Sequence, residues 1–210
     1  MQPGLYAIVD VDSLQRGARP PLDFARRVLD AGRLAALQLR AKSLGARDML
    51  ALAVALRPLC VDARVPLFVN DRPDVAWLAA ADGVHLGLDD LPLPHARRVA
   101  PGLQVGVSSH TTAEFAAALA TDADYIAVGP VFPTASKADA APVVGLPTLR
   151  ALCAAAGSRP VVAIGGVTAG NAAQIRAAGA RAGAVIGALL VDDRDVTATA
   201  RALHRALSGT

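Results

Sequence analysis

The sequence predicts an α/β fold of the (β/α)8 TIM-barrel type, with residues 1–210 forming one domain. Short apolar runs of strand length alternate with stretches of helical spacing, and this alternation repeats eight times. No long linker or change in composition divides the 210 residues, a length at which α/β barrels often stay undivided. The chain is 53% hydrophobic but only 3% aromatic, so Ala, Val, Leu and Ile must fill the core between helices and a parallel sheet.

Each predicted strand is a short apolar run that ends at a polar residue or a glycine. The strands are expected at 5–9, 34–40, 66–69, 83–86, 103–107, 125–128, 160–164 and 184–186. Helical spacing of apolar residues predicts helices at 22–30, 48–61, 75–80, 94–100, 112–119, 146–156, 171–178 and 195–207. Pro58 predicts a break in the second of these helices, and a long loop is expected at 129–145.

An open doubly wound sheet is the alternative fold. That fold usually carries a glycine-rich nucleotide-binding turn after its first strand. Here Asp10, Val11, Asp12 and Ser13 follow the first strand, with neither G-x-G-x-x-G nor a P-loop. The barrel is therefore favoured.

The end of the second predicted strand points to an anion site. Because side chains on a strand alternate between its two faces, Gln38, Arg40 and Lys42 share one face, and Leu39 and Ala41 share the other. One face thus carries an amide and two cations. The alternative is a solvated strand end without a ligand.

Other strand ends carry polar residues or glycines as well. In chain order they are Asn70 and Asp71; His85, Asp89 and Asp90; Ser108 and His110; Thr134, Ser136 and Lys137; Gly165 and Gly166; Ile186 and Gly187. All strands of a barrel end at one face, which holds the active site. The mixture of cations, carboxylates, hydroxyls and amides predicts a charged substrate.

Asp71 and Asp90 follow neighbouring predicted strands and are candidate Mg²⁺ ligands. Two close carboxylates repel unless a cation lies between them, and Mg²⁺ accepts carboxylate, water and phosphate oxygens together. With Arg40, Lys42 and Lys137 they would form a metal–diphosphate clamp. The alternative is that each aspartate only caps a helix.

The glycines after the last two strands suggest a second phosphate site. In barrels these two loops often bind a monophosphate through backbone N–H groups, and Gly166 and Gly187 would allow the close approach. Two tight turns are the alternative.

His85, in an apolar strand-end run, could simply line the pocket.

Composition excludes several other classes of function. The net charge is +3, but the arginines are scattered among acids, so nucleic-acid binding is not expected. Charges or prolines interrupt every apolar run, and the N-terminus lacks a signal-peptide pattern, so no membrane segment is expected. Cys60 and Cys153 fall in predicted helices as small apolar residues, which fits a cytoplasmic protein.

The motifs together resemble the thiamine-phosphate synthase family, also called thiamine-phosphate pyrophosphorylase. The matching stretches are LYAIVD at 5–10, QLRAK at 38–42, NDR at 70–72, DGVHLG at 82–87, GVS at 106–108, DYIAVGPVFPT at 124–134 and AIGGV at 163–167. They occur in the family's order and span nearly the whole chain, so the resemblance is specific.

The resemblance implies a Mg²⁺-dependent TIM-barrel transferase of thiamine biosynthesis. Such an enzyme joins 4-amino-2-methyl-5-hydroxymethylpyrimidine diphosphate to a thiazole phosphate and releases pyrophosphate. The family's reaction is dissociative: pyrophosphate leaves first, and the thiazole nitrogen traps the pyrimidinylmethyl cation. A homodimer is the family expectation.

The resemblance also implies residue roles, carried over by motif position. Gln38 would hold the pyrimidine in a pocket lined by His85. The diphosphate would be held by Arg40, Lys42, Asn70, Ser108 and Lys137. Asp71 and Asp90 would bind Mg²⁺. The thiazole side would meet Thr134 and Ser136, and its phosphate Gly166, Ile186 and Gly187.

Three positions depart from the family pattern. Ala41 replaces the usual Glu, Leu88 a common Gln, and Gly187 a common Ser. Leu88 and Gly187 motivate one alternative, a non-catalytic protein that binds thiazole or pyrimidine phosphates. Another alternative is the related thiazole tautomerase, which shares the barrel but resembles the synthase poorly at the diphosphate clamp.

Overall fold

A computed structural model describes residues 1–134, 142–191 and 195–209. Eight parallel strands close into a barrel in chain order, each hydrogen-bonded to the next, and the last pairs with the first. The strands are β1 Gly4–Asp10, β2 Ala36–Arg40, β3 Leu67–Asn70, β4 Gly83–Leu86, β5 Gln104–Ser109, β6 Tyr125–Val128, β7 Val161–Ile164 and β8 Ala182–Val185. The predicted (β/α)8 barrel is confirmed.

Helices surround the barrel and follow the strands in sequence. Within the described ranges they are α1 Val11–Arg16, α2 Pro21–Leu29, α3 Ala46–Ala63, α4 Pro73–Leu78, α5 Leu93–Val99, α6 Thr112–Leu119, α7 Gly145–Ala156, α8 Ala172–Ala177 and α9 Val196–Ser208. A short 3₁₀ helix, Gly187–Leu189, follows β8. None of the helices described is long and apolar enough to cross a membrane.

The structure corrects the helix predictions at two places. Helix α1 was not predicted, because its single turn and a half shows little periodicity; Asp10 starts it by accepting a hydrogen bond from the Ser13 N–H at 2.9 Å. Helix α3 runs through Pro58 without the predicted break. Pro58 lies on the exposed side, so water can satisfy the carbonyl of Val54 that the proline ring leaves without an N–H donor.

Two strand ends also differ from prediction. Strand β8 starts at Ala182 and ends at Val185, so Ile186 lies just beyond it. Pairing with both β7 and β1 draws Ala182 and Gly183 into the sheet, although Gly183 disfavours a strand locally. Strand β5 continues to Ser109, which places Ser108 inside the strand.

Alternation along each strand separates two apolar clusters. Leu5, Ala7 and Val9 of β1 pack outward against the helices, whereas Tyr6 and Ile8 pack inside the barrel. The other strands repeat this pattern. The strand faces therefore decide which residues reach the barrel interior.

An aromatic cluster fills the barrel interior below the strand ends. Tyr6, Phe68 and Tyr125 lie with ring centroids 5.6–5.9 Å apart. Phe68 stands opposite Gly83 and Tyr125 opposite Gly106 on the neighbouring strands. These large rings fit because glycine leaves space beside them, and they form the floor beneath the carboxyl ends of the strands.

Candidate active site

The inward-facing residues at the carboxyl ends of the strands divide into two arcs. The polar arc consists of strands β1 to β5. Near their carboxyl ends, the inward-facing residues of these strands are Asp10, Gln38, Arg40, Asn70, His85 and Ser108. The glycine arc consists of strands β6 to β8. The inward-facing residues near their carboxyl ends are Ala127, Ile164 and Ile186, and the loops that follow β7 and β8 contain Gly165, Gly166 and Gly187. The two arcs offer different chemistry, namely side-chain charge on one and backbone on the other.

Strand β2 directs its polar residues as the alternation predicts. Gln38 is 3% exposed and its Nε2 donates to the Tyr6 hydroxyl at 3.0 Å. Arg40 forms an ion pair with Asp10, which is 3% exposed. Leu39 and Ala41 are buried in the outer cluster.

Lys42 reaches the same rim by a different route. Strand β2 ends at Arg40, so Lys42 belongs to the following turn and not to the strand. Its Nζ lies 2.5 Å from Asp71 Oδ2, and its side chain remains half exposed. In that turn, Ser43 donates its backbone N–H to Asp12 at 3.2 Å, which fastens the turn to α1.

Asp71 and Asp90 lie side by side and share a hydrogen bond. Burial, together with that hydrogen bond, raises the pKa of Asp71, and the Lys42 ammonium only partly offsets this. Burial would also raise the pKa of Asp90, but the hydrogen bond from Asp71 and the Gly87 N–H, 2.6 Å away, outweigh it and lower that pKa. The proximity of the two carboxyl groups thus raises the pKa of Asp71 and lowers that of Asp90.

The two carboxylates form a donor set that suits Mg²⁺. The described residues contain no group of three or more His, Cys, Asp or Glu arranged to hold a metal. Mg²⁺ commonly takes only one or two carboxylates and completes its shell with water and phosphate oxygens. The Lys42 ammonium already lies against Asp71, and the closeness of Asp90 raises the pKa of Asp71, so a divalent cation between the two carboxylates would relieve their repulsion.

His85 connects the aromatic floor to the rim. Its ring stacks on Tyr125 at an interplanar angle of 19°, and its Nδ1 lies 2.9 Å from the Tyr125 hydroxyl. Its Nε2 lies 2.9 Å from Ser108 Oγ. Tyr125 and Tyr6 are joined through their hydroxyls at 2.8 Å. Together with the Gln38–Tyr6 contact, the arrangement links the five strands β1, β2, β4, β5 and β6 by polar contacts.

On the glycine arc, Gly165 and Gly166 both adopt positive φ, at 92° and 66°. A Cβ on Gly166 would lie 2.5 Å from the Pro133 carbonyl oxygen, so only glycine fits there. Asn171 holds the loop closed, since its Nδ2 donates to the Gly166 carbonyl at 2.9 Å. Gly187, predicted to help bind a phosphate, starts the 3₁₀ helix, with Ile186 at its N-cap.

The predicted residues after β6 are only partly described. Thr134 is half-buried at the end of the first described range. Ser136 and Lys137 lie outside the described residues.

Sequence reasoning missed Asp10, Tyr6 and Tyr125 as site residues. Asp10 had a detectable signal, because an acidic residue at a strand end shares the inward face with Tyr6 and Ile8. Tyr6 and Tyr125 had none, since β1 and β6 are not neighbours and meet only across the closed barrel.

The opposite end of the barrel differs in character. A cavity of about 240 Å³ opens there, lined by Met1, Gln2, Ala35, Pro66, Phe68 and Gln104. None of these side chains carries a charge, whereas the rim at the carboxyl end carries both signs. The charged rim is therefore the candidate active site.

Known proteins resemble this chain over nearly its whole length. The family model described as thiamine monophosphate synthase matches residues 5–189. The thiamine-phosphate synthase of Methanocella arvoryzae is 49% identical over 99% of this chain and 96% of its own length. That of Methanoculleus marisnigri is 48% identical over 95% of this chain and 93% of its own length.

Among solved structures, thiamine phosphate pyrophosphorylase from Pyrococcus furiosus superposes with a TM-score of 0.88. It is 35% identical and covers 98% of this chain and 96% of its own. The Bacteroides thetaiotaomicron protein of the same name, 17% identical with a TM-score of 0.67 and covering 98% and 97% of the two chains, shares the fold. The chain therefore belongs to the thiamine-phosphate synthase family and is a transferase of thiamine biosynthesis.

Proposed function

We propose that this enzyme joins 4-amino-2-methyl-5-hydroxymethylpyrimidine diphosphate to a thiazole phosphate, giving thiamine phosphate and pyrophosphate. One observation carries the proposal: Lys42 pairs with Asp71, which lies against Asp90, where β2, β3 and β4 end, and Arg40 and the buried Gln38 lie on the inward face of β2. Cations and a carboxylate pair that needs a cation are what a metal-bound diphosphate requires.

The polar arc would hold the pyrimidine diphosphate. Arg40, Lys42, Asn70 and Ser108 would donate to the diphosphate oxygens, and these contacts would strengthen as charge develops on the leaving group. Lys137 is proposed for the same role on the family's motif alone. Asp10 would keep Arg40 aimed at the rim until the diphosphate arrives, because the two are already paired.

Asp71 and Asp90 would hold Mg²⁺. When bound, the ion would neutralise part of the diphosphate charge and so favour its departure. Because the pKa of Asp71 is raised and a ligand must be ionised, we expect Mg²⁺ to bind more tightly as the pH rises.

Gln38 would orient the pyrimidine ring, and His85 would line its pocket above the tyrosine floor. The thiazole phosphate would lie on the glycine arc, held by the backbone at Gly166, Ile186 and Gly187, with Thr134 and Ser136 beside the thiazole. This placement would bring the thiazole nitrogen towards the methylene carbon that loses pyrophosphate. The bond from that carbon to the diphosphate oxygen breaks with both electrons leaving on oxygen, and the nitrogen lone pair forms the new bond.

An assay with both substrates and Mg²⁺ tests this reaction directly. We expect thiamine phosphate and pyrophosphate in equal amounts, with product abolished by chelation and restored by added Mg²⁺. Isomerisation of a thiazole carboxylate phosphate without condensation would favour a tautomerase instead. Binding of both substrates without product at high enzyme concentration would indicate a non-catalytic binding protein.

We also expect a cytoplasmic enzyme that forms a homodimer. Light scattering after size-exclusion chromatography tests the oligomeric state, and a mass near 21.4 kDa would contradict the dimer.

A further inference from the structure

A continuous chain of polar contacts crosses the barrel interior from Gln38 to Ser108. It runs from Gln38 Nε2 to the Tyr6 hydroxyl at 3.0 Å and on to the Tyr125 hydroxyl at 2.8 Å. From there it continues to His85 Nδ1 at 2.9 Å and from His85 Nε2 to Ser108 Oγ at 2.9 Å. Its ends are the residues proposed for the pyrimidine and for the diphosphate.

Proton counting gives this chain a direction. Gln38 Nε2 can only donate, so the Tyr6 oxygen accepts and its single proton goes to Tyr125. Tyr125 in turn donates to His85 Nδ1, which makes His85 the neutral Nε2–H tautomer. That N–H donates to Ser108 Oγ. The hydroxyl proton of Ser108 is then left to point into the site.

The opposite direction has the opposite consequence at Ser108. If Gln38 turned its carbonyl oxygen to Tyr6, each hydroxyl would donate the other way and His85 would carry its proton on Nδ1. Ser108 would then donate to His85 Nε2 and present only lone pairs to the site. Lone pairs repel a diphosphate, whereas an O–H binds it.

The two tyrosines are suited to carry this direction. Tyr6 is 2% and Tyr125 1% exposed, and burial raises the pKa of each well above its ordinary value. Both therefore stay neutral with one proton each. The packing against Phe68, with centroids 5.8 and 5.6 Å away, limits other orientations of the rings.

We propose that Tyr6 and Tyr125 are positioning residues that transmit the orientation of the Gln38 amide through His85 to the Ser108 hydroxyl, so that Ser108 is already oriented to donate to the diphosphate and a pyrimidine bound at Gln38 preserves that orientation. A substrate group that donates to the Gln38 oxygen leaves Nε2 for Tyr6, and the 4-amino group of the proposed pyrimidine is such a donor. The inference rests on the proposed function for the ligands at its two ends. The direction of the chain is a property of the protein alone.

Nitrogen NMR of histidine in the ligand-free protein tests the direction without any reaction. The chain has four histidines, so the signals of His85 are assigned by their loss in His85→Asn. At pH 7.5 we expect a protonated Nε2 and an unprotonated Nδ1, and we expect Tyr125→Phe to shift the ring towards a mixture of tautomers. A wild-type His85 with its proton on Nδ1, or on both nitrogens, would overturn the proposal.

A double-mutant cycle tests the transmission. Pyrophosphate affinity is measured by calorimetry with Mg²⁺ for Tyr6→Phe, Ser108→Ala and the double variant. Tyr6→Phe should weaken binding about tenfold, but the same change in the Ser108→Ala background should have almost no effect, because no hydroxyl remains to be oriented. Additive losses of pyrophosphate affinity in the double variant would mean that Tyr6 acts only through packing, and would contradict the proposal.

Phe68→Leu is the matched control, since it changes the same aromatic cluster without touching a polar atom. Its effect should add to that of Ser108→Ala. Failure of the proposed function is recognised separately, as absence of thiamine phosphate from the wild-type enzyme. The tautomer of His85 and the pyrophosphate cycle do not depend on turnover.

Discussion

The polar arc and the glycine arc meet at one rim but are built on different principles. On the polar arc the strands end inward in charged and hydrogen-bonding side chains, paired with one another as Arg40 is with Asp10. On the glycine arc the inward strand ends are apolar, and the backbone of positive-φ glycines forms the surface. A substitution on the polar arc should therefore impair the enzyme by removing a functional side-chain group. A substitution on the glycine arc should impair it by adding a side chain where only backbone fits.

The largest effect is expected for Lys42→Ala on the polar arc. Its ammonium, 2.5 Å from Asp71, is proposed to contact the leaving diphosphate, and losing such a contact should lower kcat by about 100-fold or more. Steady-state kinetics measures this. Arg26→Ala, which removes an exposed cation of α2, is the control and should keep wild-type kcat. A loss below about threefold for Lys42→Ala would remove Lys42 from the diphosphate site.

Asp71→Asn should raise the Mg²⁺ concentration that gives half-maximal activity by about 10-fold to 100-fold, because one of the two proposed carboxylate ligands is lost. Calorimetric titration with Mg²⁺ in the presence of pyrophosphate gives the same answer without turnover. Asp74→Asn is matched to it, since Asp74 lies nearby but pairs with Arg72. An unchanged Mg²⁺ requirement for Asp71→Asn would argue against Asp71 as a ligand.

On the glycine arc, Gly166→Ala should raise KM for the thiazole phosphate and leave KM for the pyrimidine diphosphate nearly unchanged. The new methyl group would meet the Pro133 carbonyl at φ 66°, so we also expect a loss of about 1–3 kcal/mol in the free energy of unfolding. Gly170→Ala is the control, because its Cβ would lie 3.8 Å from the nearest atom. Equal changes in both KM values would mean that the arcs do not separate the substrates.

The smallest effect concerns a group outside both arcs, His204 of α9, whose Nδ1 accepts from the Leu5 N–H at 3.4 Å. Burial lowers the pKa of His204 in the folded protein below 6.5, so the unfolded chain binds its proton more readily. Stability should therefore fall as the pH drops below about 6.5, and less so in His204→Gln.

Urea unfolding at pH 7.5, 6.5 and 5.5 measures this difference. His95→Gln, at an exposed position, serves as the control substitution. Activity of His204→Gln at pH 7.5 should match the wild type, since the residue is remote from the rim. If His204→Gln lost more stability at acid pH than the wild type, the predicted direction of the effect would be wrong.

Strand alternation made the fold and part of the rim predictable. A period of two placed Gln38 and Arg40 inward and Leu39 outward from sequence alone. Lys42 reached the same rim through a turn, which alternation does not describe. Its pairing with Asp71 depends on the positive φ of Asp71, 65°, a backbone state that an aspartate adopts only in a particular context.

Contacts across the barrel were beyond sequence reasoning. The Tyr6–Tyr125 bond joins residues on β1 and β6, 119 positions apart, and requires closure of the whole sheet. The helical turn at α1 was missed because propensity says little about so short an element. The roles assigned to individual residues stay predictions until the substitutions above are measured.

The glycines opposite the aromatic floor have a consequence for changing substrate range. A Cβ on Gly106 would overlap the Tyr125 ring, and one on Gly83 would overlap Phe68, so each ring and its facing glycine occupy one shared volume. Replacing Tyr125 alone leaves a void, and enlarging Gly106 alone produces a clash. Variants that accept bulkier pyrimidines should therefore arise as paired exchanges on adjacent strands, in which one strand gives up volume as its neighbour gains it.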